Sequence, residues 1–195
     1  GLLSEFGIVL PLKAATVRRQ ALLHLEELPG WANLAVGDCL SEVSRLDERI
    51  AEYERHLAQL ARENQAARQL MRLRGVGETT ATALVATIGN GHDFQFAAWL
   101  GLTPGQYSSG GKTRLGRITK AGDGYLRSLL VMGARAVLAA AKDKTDPISR
   151  WVIALEQRRG YWKAVVAMAA KNARLAWAVL TKGEAFKLPG QAMPG

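Results

Sequence analysis

The sequence predicts a mostly α-helical protein, and three observations support this prediction. Apolar residues recur at intervals of three and four over several stretches, and glycines and prolines separate those stretches. No alternation of apolar and polar residues runs long enough to form a convincing strand. The chain has 195 residues, of which 48% are hydrophobic and 22% charged, so it can bury a core. The predicted architecture is a helical domain with an accessory element.

The first strong helical pattern covers residues 15–28, and Pro29-Gly30 ends it. Its predicted inner face comprises Val17, Ala21, His24, Leu25 and Leu28.

A longer helix with a heptad seam follows. Glu and Arg fill the flanking positions, which is typical of a coiled coil. An amide at an a position, here Asn64, tends to fix register and strand number. The seam predicts a coiled coil or helical hairpin that mediates assembly, and the alternative is one helix of a bundle within its own domain. The a and d positions are Val43, Leu46, Ile50, Tyr53, Leu57, Leu60, Asn64, Ala67 and Met71.

Residues 73–89 predict an element like a helix-hairpin-helix motif. One helix ends, Gly75-Val76-Gly77 forms a tight turn, and a second helix starts near Glu78. The two glycines let the backbone approach another chain, and the unpaired N–H groups of the new helix can hold a phosphate. Thr79 and Thr80 would add hydroxyl donors. The alternative is an ordinary helix–glycine–helix turn.

Residues 101–124 form a glycine-rich basic loop that holds seven of the 20 glycines. Such a loop is poor at building a core and good at surrounding phosphates. Within it, Ser108 and Ser109 precede Gly110 and Gly111, and a serine hydroxyl can attack a phosphodiester where cations stabilise the phosphoryl group. From the residues alone, a passive phosphate-binding loop is favoured over a catalytic one, and composition does not settle the choice. The four cations of the loop are Lys112, Arg114, Arg117 and Lys120.

Three further helices are predicted after the loop. Asp123 caps the first, the second runs from Asp146 and Pro147 to Gly160, and the third spans about 161–182 before Gly183. The Met and Trp residues of these helices fit core positions better than a cofactor site.

The charge is distributed unevenly. The whole chain carries +9, but residues 1–70 have 8 basic and 10 acidic side chains, whereas residues 71–195 have 18 basic and 7 acidic ones. A basic half of this kind indicates a polyanionic partner. No run reaches the roughly 18 apolar residues of a membrane-spanning helix, so no membrane partner is expected.

Cysteine and histidine usage predicts neither a disulfide nor a metal site. Cys39 is the one cysteine, which excludes an internal disulfide. His24, His56 and His92 stand on different predicted elements, and the basic half lacks paired carboxylates for two-metal chemistry. No metal or other cofactor is expected in this chain.

Two segments, LGLTPGQYSSGGKTRLGRITKAGDGYLRSLLVMGAR and GVGETTATALVATIG, are similar to the C-terminal transposase domain of the insertion-sequence "one-ten" family of bacterial DEDD transposases. The resemblance extends over nearly the whole chain, and the glycine-serine loop is its specific part. It implies a helical, coiled-coil assembly region in residues 1–71 and a transposase domain in residues 72–195. The family's N-terminal RuvC-like domain, with its acidic tetrad, is absent from these residues. The start at Gly1 rather than Met likewise predicts a portion of a longer protein.

The resemblance also implies a function, which is DNA transposition and recombination guided by a structured bridge RNA that pairs with donor and target DNA. It places a serine nucleophile at Ser109, with Ser108 as second choice. It implies a dimer or tetramer assembled through the coiled coil, Mg²⁺ in the missing RuvC-like domain, and a bacterial cytoplasmic, nucleoid-associated location. The predicted nucleic-acid-binding residues are Gly75, Gly77, Thr79, Thr80, Gly110, Gly111, Lys112, Arg114, Arg117, Lys120 and Arg127.

An alternative function is a non-catalytic module that binds nucleic acid and dimerises through the hairpin, the basic loop and the coiled coil. In either case, these residues alone are expected to bind nucleic acid and self-associate but to lack strand transfer, because the acidic domain is missing.

Overall fold

The computed structural model describes residues 2–11, 13–88, 96–107, 112 and 114–182. Helices predominate among them, which confirms the mostly α-helical prediction. The helices are α1 Leu2–Glu5, α2 Ala14–Leu23, α3 Gly30–Glu63, α4 Gln65–Leu70, α5 Glu78–Ile88, α6 Phe96–Trp99, α7 Gly124–Ala141, α8 Pro147–Arg159 and α9 Tyr161–Lys182. Two short strands, β1 Pro104–Gln106 and β2 Leu115–Ile118, lie between α6 and α7.

The chain forms two compact units, Gly1–Arg55 and His56–Gly195, and the division falls within α3. The predicted division at residue 71 separates an assembly region from a transposase domain, and it stays a prediction about function.

The first unit has a small apolar core on the N-terminal part of α3. Leu28, Ala32 and Val36 are buried there. The predicted helix over residues 15–28 ends early, because a single 3-10 turn at Leu25–Glu27 follows α2. The Leu25 carbonyl accepts the Leu28 N–H of the 3-10 turn at 3.2 Å and the Asn33 side-chain amide at 2.6 Å, in place of the hydrogen bond of a continuing α-helix.

The heptad helix is not continuous to Met71, contrary to the prediction. Asn64 has an extended backbone (φ −84°, ψ 118°), and its Oδ1 accepts the Ala67 N–H at 3.0 Å, so it is the N-cap of α4. An Asn side chain competes with helical backbone hydrogen bonds in this way. Asn64 is therefore exposed at a helix break rather than a buried amide at an a position, and the seam of α3 ends at Leu60.

Four of the six seam positions within α3 are exposed in the single chain, and Val43 and Leu57 are half-buried. Leu46, Ile50, Tyr53 and Leu60 are between 42% and 60% exposed. Ala67, by contrast, is fully buried in the core of the second unit and so does not belong to the same surface.

Helix α9 is the centre of the second unit, where it packs against α4, α5, α6, α7 and α8. Small residues along it, among them Ala164, Ala169 and Ala173, are fully buried and let these helices approach closely. Met168 is buried as predicted. Met132 and Trp162 are each 63% exposed and Trp151 is 38% exposed, so the prediction that the Met and Trp residues lie in the core is wrong for these three.

Three predicted helix ends of the second unit are confirmed, whereas Gly183, predicted to follow the last helix, lies outside the described residues. The Asp123 carboxylate accepts the Tyr125 and Leu126 N–H groups at the start of α7. Asp146 caps α8 ahead of Pro147, and Gly160 ends α8 with φ +85°. These signals act within a few residues of chain, which is why the sequence alone reveals them.

Helix α7 is long and apolar enough to cross a membrane by length and composition, with a mean hydropathy of 1.3 over 18 residues. Its buried face packs against α8 and α9 in the core of the second unit. Core packing therefore accounts for the apolar residues on the buried face of α7, which make up a third of the helix. The buried residues are Leu126, Leu130, Ala134, Val137, Leu138 and Ala141.

Candidate nucleic-acid interface

The glycine-rich segment is built on an antiparallel ribbon of β1 and β2. Pro104 pairs with Ile118 and Gln106 with Leu115, with an irregularity between the two pairs. The Tyr107 N–H extends the pairing by donating to the Arg114 carbonyl at 2.8 Å. The expectation that no strand forms is wrong here, because strands of three and four residues are too short to show an apolar alternation.

The predicted nucleophiles lie outside the described residues. Ser109 and the second choice Ser108 fall between Tyr107 and Lys112, as do Gly110 and Gly111. Tyr107 and Arg114, which lie on either side of this segment in the sequence, are hydrogen-bonded neighbours.

Two glycines allow close packing at the base of the ribbon, where residues 99–101 meet residues 120–122. Gly101 has φ +67°, and a Cβ placed on it would lie 2.4 Å from the Ala121 nitrogen. Gly122 has φ +72°, and a Cβ there would lie 1.9 Å from the Trp99 carbonyl oxygen. Neither position has room for a side chain, so the chain entering the ribbon is pressed directly against the chain leaving it. The ribbon therefore projects from a close-packed base.

Arg127 of α7 braces the same base. Its Nη1 donates to the carbonyls of Leu100 and Ala121, each at 3.0 Å. The structure thus gives this residue a bracing contact beneath the ribbon, and its predicted contact with nucleic acid stays a prediction.

The ribbon is an exposed basic surface. Lys112, Arg114, Arg117 and Lys120 are all exposed, and none of the four has an ion-pair partner among the residues that the structure describes. Lys120 is also the one described non-glycine residue with a positive φ, at 55°. Unpaired cations on a scaffold with a locked base are suited to phosphate oxygens, because no internal carboxylate has to be displaced.

The turn between α4 and α5, residues 71–77, is called the hairpin below, and its two glycines have different environments. Gly75 has φ +77° and meets Gly133 of α7, where a Cβ would lie 1.8 Å from the Gly75 carbonyl oxygen. This pair of glycines brings the hairpin backbone against α7. Gly77 is open, with nothing within 4 Å of a Cβ placed on it. Thr79 is half-buried and Thr80 is buried.

A carboxylate lies at the start of α5. Glu78 is the first residue of this helix, and its Oε1 lies 3.9 Å from an Arg62 guanidinium nitrogen. An acidic side chain stabilises a helix N-terminus, and it also occupies the position where a phosphate would gain most from the helix dipole. Glu78 therefore weakens any anion binding at this hairpin.

A polar cluster that the sequence pattern does not reveal pins the hairpin to the helices behind it. Arg74 Nη1 lies 2.9 Å from Asp146 Oδ2 and donates to Ser149 Oγ at 3.1 Å. The Asn172 amide donates to the Arg74 carbonyl at 2.9 Å. The sequence hints at one member of this cluster, because Asn172 is a polar residue on an otherwise apolar face of α9.

The pKa of Asp146 is held below its usual range by this cluster. The hydrogen bond with the Ser149 side chain is the largest cause, and the Ser149 and Ile148 N–H groups and the charge of Arg74 act in the same direction. Asp146 is thus an ionised cap for α8 and an anchor for the hairpin.

Among the described residues, no three His, Cys, Asp or Glu side chains lie close enough together to hold a metal ion. His92 lies outside the described residues, and Cys39 is exposed.

Comparison with known proteins points to one class. Residues 67–147 match the family described as "Transposase IS116/IS110/IS902 family". The chain is 40% identical over 97% of its length to a probable family 20 transposase of Pseudomonas aeruginosa. It is 41% identical over 96% to the transposase for insertion sequence element IS1111A of Coxiella burnetii, and 35% identical over 94% to that for IS1328 of Yersinia enterocolitica.

The chain spans 59%, 54% and 57% of the lengths of these three relatives. The matched residues 67–147 include the hairpin, the ribbon and α7.

Proposed function

We propose that the chain is the DNA-binding and strand-exchanging C-terminal portion of a longer DNA transposase, because residues 67–147 match the IS116/IS110/IS902 transposase family and the similar relatives are transposases. The observation that carries the proposal is the basic ribbon inside the matched residues, whose four exposed cations follow the predicted serine segment and have no ion-pair partner among the described residues. The relatives' extra length is where the RuvC-like domain and its Mg²⁺ would lie.

Ser109 is the proposed nucleophile, with Ser108 as second choice. The Ser109 hydroxyl oxygen would attack the phosphorus of a DNA strand and form a phosphoserine ester, while the bond to one strand end breaks. The hydroxyl proton ends on the oxygen of the released strand end. Attack by the hydroxyl of another strand would reverse this step and reseal the DNA without ATP. Lys112 and Arg114 lie beside this segment and would stabilise the charge of the phosphoryl group.

Two further parts of the proposal concern partners. A structured bridge RNA would pair with donor and target DNA and so supply sequence specificity, while the protein contacts backbones and duplex shape. The exposed seam of α3 would assemble the protein into a dimer or tetramer, because Leu46, Ile50 and Leu60 are open to solvent in the single chain. The site of action would be the nucleoid in the bacterial cytoplasm.

A second candidate function is a non-catalytic module that binds nucleic acid and dimerises. It is favoured by the placement of Arg114 and Arg117 on or beside β2, where they can hold phosphates whether or not a serine reacts.

The deciding experiment uses the full-length transposase with labelled DNA, guide RNA and magnesium, and it measures protein–DNA adducts that survive denaturing gel electrophoresis. Ser109→Ala should abolish the adduct, and Ser108→Ala, the matched control, should retain it. An adduct that persists in Ser109→Ala contradicts the assignment of the nucleophile. Unimpaired recombination by Ser109→Ala would favour the non-catalytic module.

A further inference from the structure

An exposed aromatic pair lies where α8 turns into α9. Trp162 is 63% exposed although it stands in the first turn of a core helix. Tyr161 meets it edge to face, with ring centres 5.2 Å apart and planes at 76°. The guanidinium carbon of Arg135, on α7, lies 5.9 Å from the centre of the Trp162 ring. One face of this indole is therefore partly covered by a cation, and most of the ring is left to solvent.

The aromatic pair stands on a rigid support. Ala164 and Val165 follow directly on α9 and are fully buried, so the helix carrying Trp162 is anchored in the core. Gly160, with φ +85° and open space around it, gives the sharp turn that ends α8. A large aromatic side chain left in solvent on a helix that is anchored in the core is the arrangement of a contact surface.

The surroundings of the pair are strongly basic. Helices α7, α8 and α9 contain nine basic residues and one acidic residue, Glu156. Arg158 and Arg159 end α8, and Lys163 follows Trp162; all three are exposed. Within the part of the chain that the structure describes, none of these three side chains forms an ion pair. Charge complementarity therefore favours a polyanion.

We propose that this tryptophan surface, defined as Arg135, Arg158, Arg159, Tyr161, Trp162 and Lys163, binds an unpaired stretch of DNA. A base stacks on the open face of Trp162, and the cations hold the adjoining phosphates. The strand is unpaired because a duplex hides the faces of its bases inside the stack. The choice of DNA rests on the proposed function, since strand cleavage and exchange release unpaired nucleotides.

A row of exposed residues connects the tryptophan surface to the ribbon. Tyr125, Ser128, Met132 and Arg135 are exposed on α7 at spacings of four and three, so they lie along one side of the helix. Tyr125 follows the base of the ribbon and Arg135 meets Trp162, about 15 Å further along the helix axis. A strand held at the ribbon can follow this row to the tryptophan surface.

The test measures binding of the full chain to a fluorescent single-stranded oligothymidylate and to a DNA duplex of equal length, by anisotropy. Trp162→Ala should weaken single-strand binding about tenfold and duplex binding less than about twofold. Trp162→Phe should restore most of the affinity, because a phenyl ring still stacks. Trp31→Ala is the matched control, since Trp31 is 64% exposed in the first unit, and it should change neither affinity.

A second variant tests the phosphate contacts. Replacing Arg158 and Arg159 by Ala should make the salt dependence of single-strand binding weaker. The magnitude of the negative slope of log affinity against log salt should fall by about 1.4, as expected for two lost phosphate contacts. Circular dichroism confirms that each variant is folded.

Three results overturn the proposal: equal loss on duplex and single strand in Trp162→Ala, no loss at all, or tight binding of oligouridylate with none of oligothymidylate. The last result would mean that the surface serves RNA. None of these measurements involves Ser109. The binding proposal for the tryptophan surface and the proposed function can therefore be refuted independently of each other.

Discussion

The hairpin and the ribbon both contain glycines that predict phosphate binding, yet the structure uses their glycines differently. In the hairpin, Gly75 packs on Gly133 of the same chain, Thr80 is buried, and Glu78 places a carboxylate at the start of α5. In the ribbon, glycines lock the base, and the cations above it are exposed and unpaired among the described residues. A glycine thus signals a close approach, but the approaching group can be the protein's own backbone.

The largest expected effect follows from the contact between the hairpin and α7. Gly133→Ala would place a Cβ 1.8 Å from the Gly75 carbonyl oxygen, so the hairpin must move off α7. We expect a loss of about 3 kcal/mol in the free energy of unfolding, measured by urea denaturation. Gly77→Ala is the control and should cost less than about 1 kcal/mol, since the space around Gly77 is open. Equal losses would show that the hairpin is not held by the glycine contact.

The next effect tests the ribbon as the main phosphate contact. Replacing Arg114 and Arg117 by Ala should reduce the magnitude of the negative slope of log affinity against log salt for duplex DNA by about 1.8, because two phosphate contacts are lost. Arg49→Ala removes an exposed charge from α3 and should leave this slope unchanged. A slope that the ribbon variant does not alter would place the main phosphate contacts elsewhere.

A smaller effect is expected for the hairpin, and it tests whether a DNA phosphate binds near the start of α5. Glu78→Gln removes the carboxylate at the start of α5, and the affinity for duplex DNA at low salt should rise about threefold if a phosphate lies near this helix end. Glu52→Gln, an exposed residue of α3, serves as the control in the same titration. An unchanged affinity in Glu78→Gln would limit the hairpin to packing and would exclude Gly75, Gly77, Thr79 and Thr80 as phosphate ligands.

The smallest effect concerns pH. The pKa of Asp146 is lowered in the folded protein, so its stabilisation is complete above the pKa of about 3.9 in the unfolded chain. That stabilisation is lost as the pH falls through the lower folded pKa. The difference in urea midpoint between the wild type and Asp146→Asn should therefore be constant at neutral pH and shrink on acidification. A difference that grows toward low pH would contradict the ionised cap.

Predictions of helix caps based on neighbouring residues held in the second unit, whereas the predicted helix over residues 15–28 ends early. The caps at Asp123 and Asp146 and the bounds of α9 follow from groups within one helical turn, which a sequence pattern contains completely. The break at Asn64 went unnoticed, although it is just as local, because its side chain also fits a heptad position. The ribbon strands were missed because pairing between residues on either side of a loop, rather than apolar alternation, creates them.

The sequence by itself determined the helical class, the caps at Asp123 and Asp146, the uneven charge and the glycine-rich basic segment, because periodicity, caps and composition are properties of adjacent residues. Only the tertiary structure decided that Arg127 braces the carbonyl of Leu100, 27 residues away, and that Asn172 holds the carbonyl of Arg74, 98 residues away. It also decided that Gly75 meets α7 and that Trp162 faces solvent. These outcomes depend on which distant surfaces meet when the core closes, and no local pattern encodes that choice.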